Sequence, residues 1–223
     1  MINRCDRLVG TRYMSLALAL ASLVPATGCH QVVATAVFLW KGTGVPAEYT
    51  GLEGKRVVVV CRPPSSLEYR DASASRDLAK RIGGLLATNV KGIDVVNPRD
   101  VEEWTDENNA DDFQDLGDTL NADLVLHVEL DEFTLYKERS RSLYQGNADG
   151  TITVYDLRKG GSLAWEKPLG QILFPVNSAV PVQEKTLPHF RRQFINVLAE
   201  EIAISFYAHN PNDDFAMDAT AHR

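Results

Sequence analysis

The chain has 223 residues, of which 44% are hydrophobic and 24% are charged, a balance typical of a globular protein rather than a disordered one. Its length fits one ordinary domain with a targeting segment and a tail. The formal net charge is −7, and an acidic surface does not suit a phosphate backbone, so the composition argues against nucleic acid as a partner.

The first 28 residues have the order of a bacterial secretory signal. Three arginines precede a short apolar run at residues 14–24, and small residues follow at 26–28. The run is too short to span a bilayer, which needs about 20 apolar residues. Removing residues 1–28 takes away three of the 23 basic and one of the 30 acidic side chains, so the mature chain would have a net charge of −9.

The residues before Cys29 resemble a lipobox, the motif read by the lipoprotein signal peptidase. Thr27 and Gly28 fit the motif, whereas Ala26 stands where its usual pattern has leucine. The resemblance implies cleavage between Gly28 and Cys29 and acylation of Cys29, which then anchors the chain to a membrane. Two alternatives stay open. An ordinary signal peptidase would leave Cys29 unmodified, and an uncleaved anchor would continue into residues 32–40.

Residues 29–54 are predicted to connect this anchor to the folded domain. Residues 32–40 form a second apolar run, too short to cross a bilayer, which would either dock on the domain or rest at the membrane interface. Gly42, Gly44 and Pro46 indicate a linker. The chain has three cysteines. With Cys5 removed and Cys29 acylated, only Cys61 remains as a free thiol, so the domain is expected to fold without a disulfide.

The domain is predicted over residues 55–208, and its first half alternates strands and helices. Residues 56–61 are β-branched and apolar on both faces, as in a central buried strand. Residues 71–90 predict a helix whose Gly83 and Gly84 indicate close approach to the sheet. A short strand at 93–97 and helices at 98–104 and 113–120 follow.

The second half predicts a meander closed by a helix. Residues 124–135 form the longest strand, and a change of apolar parity predicts a bulge near Asp131 and Glu132. Strands at 151–157 and 162–165 are expected to form a hairpin, with an edge strand at 171–176. The final helix covers 188–207 and precedes a polar tail at 209–223; its apolar stripe comprises Phe190, Phe194, Val197, Leu198, Ile202 and Phe206.

The resulting order, β-α-β-α-α-β-β-β-α, predicts a single layered α/β domain with a mixed β-sheet and packing helices. A short motif made of Leu116, Gly117, Leu120, Ala122 and Asp123 precedes the long strand. The order of elements and this motif resemble the amino-terminal domain of the Tol translocation protein and the periplasmic domains of curli-secretion-type lipoproteins, over about residues 55–160. The resemblance implies envelope assembly or protein–protein contact, without a catalytic motif or ligand set. The whole chain also resembles bacterial envelope lipoproteins of similar length.

Two groups of side chains have atoms that could bind a metal. His127, Glu129 and Asp131 alternate along the long strand, where a solvated or polar sheet face is the favoured interpretation. The second group partly matches a calcium loop but departs from it at its first and last positions, so a polar hairpin turn is predicted there; it comprises Gln145, Asn147, Asp149, Gly150 and Asp156. We therefore predict no metal site and no cofactor.

The loop after the first strand contains Arg62, Ser65, Ser66, Tyr69 and Arg70. Loops at the carboxyl ends of strands often bind ligands in α/β sheets, so this loop is a candidate ligand or partner site, with an ordinary loop as the alternative. It has no glycine-rich cradle for phosphate. Cys61 ends the preceding strand and is interpreted as a small core residue rather than a nucleophile.

The chain contains no motif of a serine hydrolase, a zinc protease, a CxxC oxidoreductase or a P-loop nucleotidase. The leading hypothesis is a non-enzymatic lipoprotein of the cell envelope, exported to the periplasm, whose domain is an interaction or assembly module. Its expected partners are the membrane, through the lipid anchor, and another envelope protein, with no small-molecule substrate. The alternatives are an auxiliary lipoprotein of an envelope transport system and an undetected hydrolase or metal-binding domain.

Overall fold

A computed structural model describes residues 44–63, 72–108 and 112–210. These residues form a seven-stranded mixed sheet with helices packed on both faces, which confirms the predicted α/β class. The elements in chain order are β1 (Arg56–Arg62), α1 (Ala72–Asn89), β2 (Asp94–Val95), α2 (Pro98–Glu107), α3 (Phe113–Leu120), β3 (Leu124–Tyr136), β4 (Leu143–Asp156), β5 (Ser162–Pro168), β6 (Ile172–Phe174), β7 (Val180–Pro181) and α4 (Leu187–Ala203), with 3-10 turns at Leu157–Lys159 and Ile204–Phe206.

The strand order is β2-β1-β3-β4-β5, and the sheet is parallel on one side and antiparallel on the other. β1 pairs in parallel with β2 and β3, whereas β3 and β5 pair antiparallel with β4. β1 ends where Arg62 lies opposite Glu129, but β3 continues to Tyr136. The upper part of the β3–β4 hairpin therefore extends past β1, and there β4 pairs with β6 and β7.

The helices divide into two pairs that bury opposite faces of the sheet. α1 and α4 pack on the face of Val57 and Leu126, and α2 and α3 pack on the face of Val58 and Val125. The predicted stripe of the final helix is confirmed, because all six of its apolar side chains are buried. The α-helix itself ends at Ala203, and Phe206 lies in the 3-10 turn that follows.

The predicted bulge in the long strand is confirmed. The pairing of β3 with β4 shifts register between Leu130 and Glu132, so Asp131 is the extra residue. Before the bulge the even-numbered residue Leu130 faces the α1/α4 core, and after it the odd-numbered residue Phe133 does so. Gly150 lies opposite the bulge, and a Cβ there would clash with the backbone carbonyl oxygen of Glu129.

The hairpin turn predicted around residues 145–150 is wrong. These residues lie within β4, where Asn147 pairs with Thr134 on one side and with Leu173 on the other. The turn lies earlier, where Ser140 N–H donates to the Lys137 carbonyl at 2.9 Å. Asn-Ala-Asp-Gly has strong turn propensity, but pairing with strands on both sides overrides that local preference.

Residues from the predicted linker pack on the domain. Leu52 is fully buried, and the ring of Tyr49 stacks on Trp165 with centroids 5.6 Å apart. Val45 forms an antiparallel bridge with His209. The packed part of the chain thus begins before the predicted boundary at residue 55 and includes the first residue of the predicted tail.

Candidate functional site: an open groove beside the β3–β4 hairpin

Most of the predicted site residues lie outside the described part of the chain. These are Gly28 and Cys29 at the signal end, and Ser65, Ser66, Tyr69 and Arg70 of the loop after β1. Arg62, the remaining loop residue, ends β1, and its guanidinium carbon lies 5.9 Å from the ring centroid of Phe113 on α3. This is the distance of a cation–π contact, which ties the end of β1 to α3.

The structure separates the His127 group instead of bringing it together. His127 is only 5% exposed, with its ring centroid 4.9 Å from that of Phe113 and 6.4 Å from that of Tyr155. Glu129 and Asp131 are exposed. The prediction of a solvated face therefore fails at His127, because α3 places an aromatic ring over it. Within residues 44–63, 72–108 and 112–210, no three His, Cys, Asp or Glu side chains group as metal ligands.

Cys61 packs against the α1/α4 core as a half-buried side chain, as predicted. Burial raises the pKa of its thiol far above the ordinary value. Because the thiolate is the nucleophile, this environment makes the sulfur unreactive. The cavity beside it has about 80 Å³, well below the roughly 300–1,000 Å³ of ligand pockets.

A much larger concavity lies on the upper sheet, where β3 and β4 extend past β1. This hairpin groove has a volume of about 1230 Å³. On the sheet face that α2 and α3 cover lower down, it is lined by Glu132, Thr134, Gln145, Asn147, Gln171 and Leu173. Phe133 and Leu135, which pack toward the α1/α4 core, also line it. The turn residues Lys137–Arg141 form its rim at one end, and Leu187 at the start of α4 also lines it. Amide and hydroxyl groups line part of the groove, but most of its lining is apolar and includes Leu135, Leu173 and Leu187.

Successive side chains of β4 point to opposite faces of the sheet, so every second residue can line the groove. Even-numbered residues such as Tyr144 and Ala148 are buried toward α4, and a Cβ on Gly146 would lie 2.5 Å from the Phe194 ring. The odd-numbered polar residues Gln145 and Asn147 therefore face the groove. Gln145 donates to the Pro175 carbonyl at 3.0 Å. Sequence reasoning missed the groove although polar and small residues alternate with period two at 145–150, the signal of a strand with one polar face.

The residues of the motif before the long strand hold neighbouring elements of the fold together and do not form a ligand site. Leu116 is buried, and Gly117 packs so closely on Leu157 that a Cβ would clash with that side chain. Asn121 adopts φ 52° to end α3. Asp123 accepts the Arg56 backbone N–H at 3.0 Å. These residues join α3, β1 and the end of β4.

The described helices include none that is long and apolar enough to cross a membrane. No family model matches the chain, and no curated protein matches it.

Similar solved structures include bacterial lipoproteins. The PelC dodecamer from Paraburkholderia phytofirmans is 13% identical, with a TM-score of 0.40 over 73% of this chain and 94% of that one. Lipoprotein GNA1162 from Neisseria meningitidis is 16% identical, with a TM-score of 0.40 over 66% and 97%. A minor lipoprotein from Acinetobacter baumannii is 14% identical, with a TM-score of 0.30 over 67% and 89%. The expected resemblance to Tol and curli-secretion proteins stays a prediction.

Proposed function

We propose that this chain is a bacterial envelope lipoprotein, anchored to a membrane through acylated Cys29, and that its α/β domain binds another protein without catalysing a reaction. The observation on which the proposal rests is the position of Cys29. It follows small residues at the end of a basic and then apolar segment, the order in which an export signal ends. Export and acylation place the domain on the periplasmic side of a membrane.

The state of Cys61 supports this location. A free thiol outside the cytoplasm is exposed to oxidation and to disulfide exchange, and both reactions need an accessible thiolate. Cys61 packs against the core, and burial raises its pKa, so it stays a protonated thiol. A domain with this one cysteine is therefore chemically suited to an oxidising compartment.

The hairpin groove supports the role in protein binding. At about 1230 Å³ it exceeds the usual size of small-molecule pockets, and it is partly open to solvent. Its charged lining residues Glu132, Lys137 and Glu138 are exposed side chains. A wide groove with a largely apolar lining and a charged rim suits a macromolecular contact.

The anchor is tested by cell fractionation of two cysteine variants. Cys29→Ser should leave the precursor unprocessed or release the protein from membranes, whereas Cys5→Ser should be processed and retained like the wild type. Intact mass of the wild-type mature protein should show an N-terminal cysteine with acyl chains. Membrane retention and normal processing of Cys29→Ser would contradict the anchor.

The binding role is tested by photo-crosslinking in intact cells. A photoreactive amino acid replaces Thr134 on the groove floor, or Lys91, an exposed residue between α1 and β2, as the matched control. A discrete protein adduct from the Thr134 position, absent from the Lys91 position, is expected. If neither position gives an adduct, the groove does not bind protein in the cell.

A further inference from the structure

We propose that the hairpin groove binds an extended segment of a different envelope protein, which adds as a strand to the free edge of β3 and places an acidic end against the β3–β4 turn. This inference rests on the proposed function, since it names the chemistry of the partner that the domain binds. It also states how that partner is held, through its backbone as well as its side chains.

The upper half of β3 has a free edge. β1 pairs with β3 only as far as Glu129, whereas β3 continues to Tyr136. From Leu130 to Tyr136, no strand of the described chain pairs with the side of β3 that faces away from β4. A strand directs its backbone N–H and C=O groups to its two sides, so this edge presents unpaired donors and acceptors. At about 3.3 Å per residue the edge is roughly 20 Å long, enough for a peptide of about six residues.

The hairpin groove follows this edge. Consecutive residues from Glu132 to Tyr136 line it, although successive side chains of a strand point to opposite faces of the sheet. Phe133 and Leu135 pack toward the α1/α4 core, and Thr134 lies on the other face. A concavity that is bordered by side chains of both faces runs along the edge of the strand. Its volume is therefore in the place that a further strand beside β3 would occupy.

β1 does not occupy this place itself. Arg62 is its last residue, and Pro63 lies outside the strand. Pro64 follows in the sequence, and neither proline has a backbone N–H. Two consecutive prolines end a strand that would otherwise donate hydrogen bonds to its neighbour. A strand from another molecule can take the position that β1 leaves beside β3.

The unpaired backbone groups determine what kind of partner fits. A partner that buries N–H and C=O groups has to supply hydrogen bonds to them, because unpaired buried groups are costly. Another extended backbone supplies donors and acceptors at the spacing of a β-ladder, whereas a hydrocarbon chain supplies none. In recognition by strand addition, main-chain hydrogen bonds give affinity and contacts of alternate side chains give specificity.

The two faces beside the edge favour different side chains. Toward the α1/α4 core, Phe133, Leu135 and Leu187 offer apolar contacts. On the other face Thr134 is exposed, and the side-chain oxygen of Asn147 is buried without a hydrogen-bond partner in the described structure. Neighbouring strands lie about 4.8 Å apart, so a long polar side chain of the added strand can reach across Thr134 and donate to Asn147. An incoming segment with alternating apolar and polar residues matches both faces.

The turn between β3 and β4 gives the groove a positive end. Lys137, Arg139 and Arg141 are exposed there, and the one acidic residue of the turn, Glu138, pairs with Arg139 at 3.2 Å. The chain has a formal net charge of −7, so this turn is a local departure from its overall charge. Acidic residues at the end of an incoming segment would therefore be attracted to the turn and repelled by most of the remaining surface.

Binding of model peptides to the full-length chain, extracted from membranes in detergent, tests the proposal. The probes are two fluorescently labelled peptides of alternating valine and threonine, one with aspartates at its amino end and one with aspartates at its carboxyl end. Two probes are needed because an added strand can run in either direction along β3. Fluorescence anisotropy is measured at about 0.1 M salt, where charges interact over about 10 Å. One of the probes should bind saturably.

Methylation of the peptide nitrogens distinguishes strand addition from contact through side chains alone. An added strand directs every second N–H toward β3. Methylation of that set of alternate residues should weaken binding at least about tenfold, because several hydrogen bonds are lost, whereas methylation of the other set should leave binding nearly unchanged. These probes act on the unmodified protein, so their result does not depend on whether any variant folds.

A charge reversal in the turn tests the orientation. Lys137→Glu with Arg141→Glu should weaken binding of the same probe at least about tenfold. Lys80→Glu with Lys91→Glu is the matched control and should bind like the wild type, because both lysines are exposed on or next to α1, away from the residues that line the groove.

Three outcomes would overturn the proposal: neither peptide binds saturably, both methylation patterns have the same effect, or the folded turn variant binds like the wild type. Binding of a labelled fatty acid instead of the peptides, or a Thr134 adduct with another copy of this chain, would overturn it as well. A Thr134 adduct with a different protein, found while neither peptide binds, would overturn strand addition and leave the proposed function intact. The absence of any Thr134 adduct would overturn both, because no protein then occupies the groove in the cell.

Discussion

The side-chain oxygen Oδ2 of Asp123 accepts a hydrogen bond from the backbone N–H of Arg56 at 3.0 Å, so a carboxylate just before β3 holds the start of β1. The Asp123 backbone N–H donates to the Arg56 carbonyl at 2.8 Å, and the Arg158 side chain binds the other carboxylate oxygen at 2.6 Å. Three segments distant in sequence therefore meet at one residue.

We predict that Asp123→Ala lowers the free energy of unfolding by about 2 kcal/mol at pH 7, the scale of a charged hydrogen bond. Burial acts to raise the pKa of Asp123, but the Arg56 N–H and Arg158 outweigh it and hold the pKa below its usual value. A depressed pKa stabilises the fold above the unfolded value of about 3.9, and this contribution is lost as the pH falls through the lower folded value. Urea unfolding from pH 7 to pH 3 measures it.

The control for this prediction is Glu166→Ala, which removes an exposed carboxylate from β5. It should change stability by no more than about 0.5 kcal/mol at either pH. If Asp123→Ala behaves like this control, the contact between Asp123 and Arg56 does not stabilise the fold.

The two glycines of α1 form a matched pair. The sequence predicted close approach of both to the sheet, but a Cβ would lie 3.2 Å from Val95 at Gly83 and would meet nothing within 4 Å at Gly84. Gly84→Ala should raise the free energy of unfolding by about 1 kcal/mol, because alanine is the better helix former. Gly83→Ala should gain less or lose stability. Equal gains at both positions would contradict the packing of α1 on β2.

The apolar periodicity of the sequence was sufficient to predict the helices. In α4 and its 3-10 extension, Phe190, Leu198 and Phe206 recur at helical spacing, and all three are buried. Such a stripe is a local signal, so it can be recognised without knowing which distant segments the helix packs against. The parity change around Asp131 was likewise visible, since a strand with one buried face fixes the register of its side chains.

Contacts between distant segments were not predictable in the same way. The burial of His127 depends on where α3 places Phe113, and the extended course of 145–150 depends on β6, which pairs with it from residues 172–174. Neither partner is identified by local sequence. The hairpin groove escaped prediction for the same reason: it exists because β3 continues past the end of β1.

Phe194 should be among the most stabilising side chains of the domain. It is fully buried, stacks on Phe133 with centroids 5.5 Å apart, and lies over Gly146. Phe194→Ala should lower the free energy of unfolding by about 3–5 kcal/mol. Thermal and urea unfolding measure the loss, with Phe194→Leu as a milder control that keeps most of the apolar volume. An unchanged melting temperature for Phe194→Ala would show that α4 is peripheral.

The last prediction is that neither zinc nor calcium binds the purified protein tightly. His127 is enclosed by aromatic rings while Glu129 points to solvent, so the strand does not present them to one ion. Asn147 and Asp149 lie in the extended strand β4, not in a loop whose ligands surround an ion, and one carboxylate oxygen of Asp149 accepts the Gly150 backbone N–H at 2.7 Å. Each metal should therefore leave the melting temperature unchanged.

Melts with each ion and with a chelator measure this directly. A ligand that binds only the folded state at one hundred times its dissociation constant stabilises it by about 2.7 kcal/mol, a shift that a melt resolves easily. Asp149→Ala and His127→Ala separate the two candidate groups. A calcium shift that disappears in Asp149→Ala would mean that β4 rearranges into a loop around the ion. A zinc shift that disappears in His127→Ala would mean that α3 moves away from the sheet, because the imidazole cannot reach a metal while Phe113 covers it.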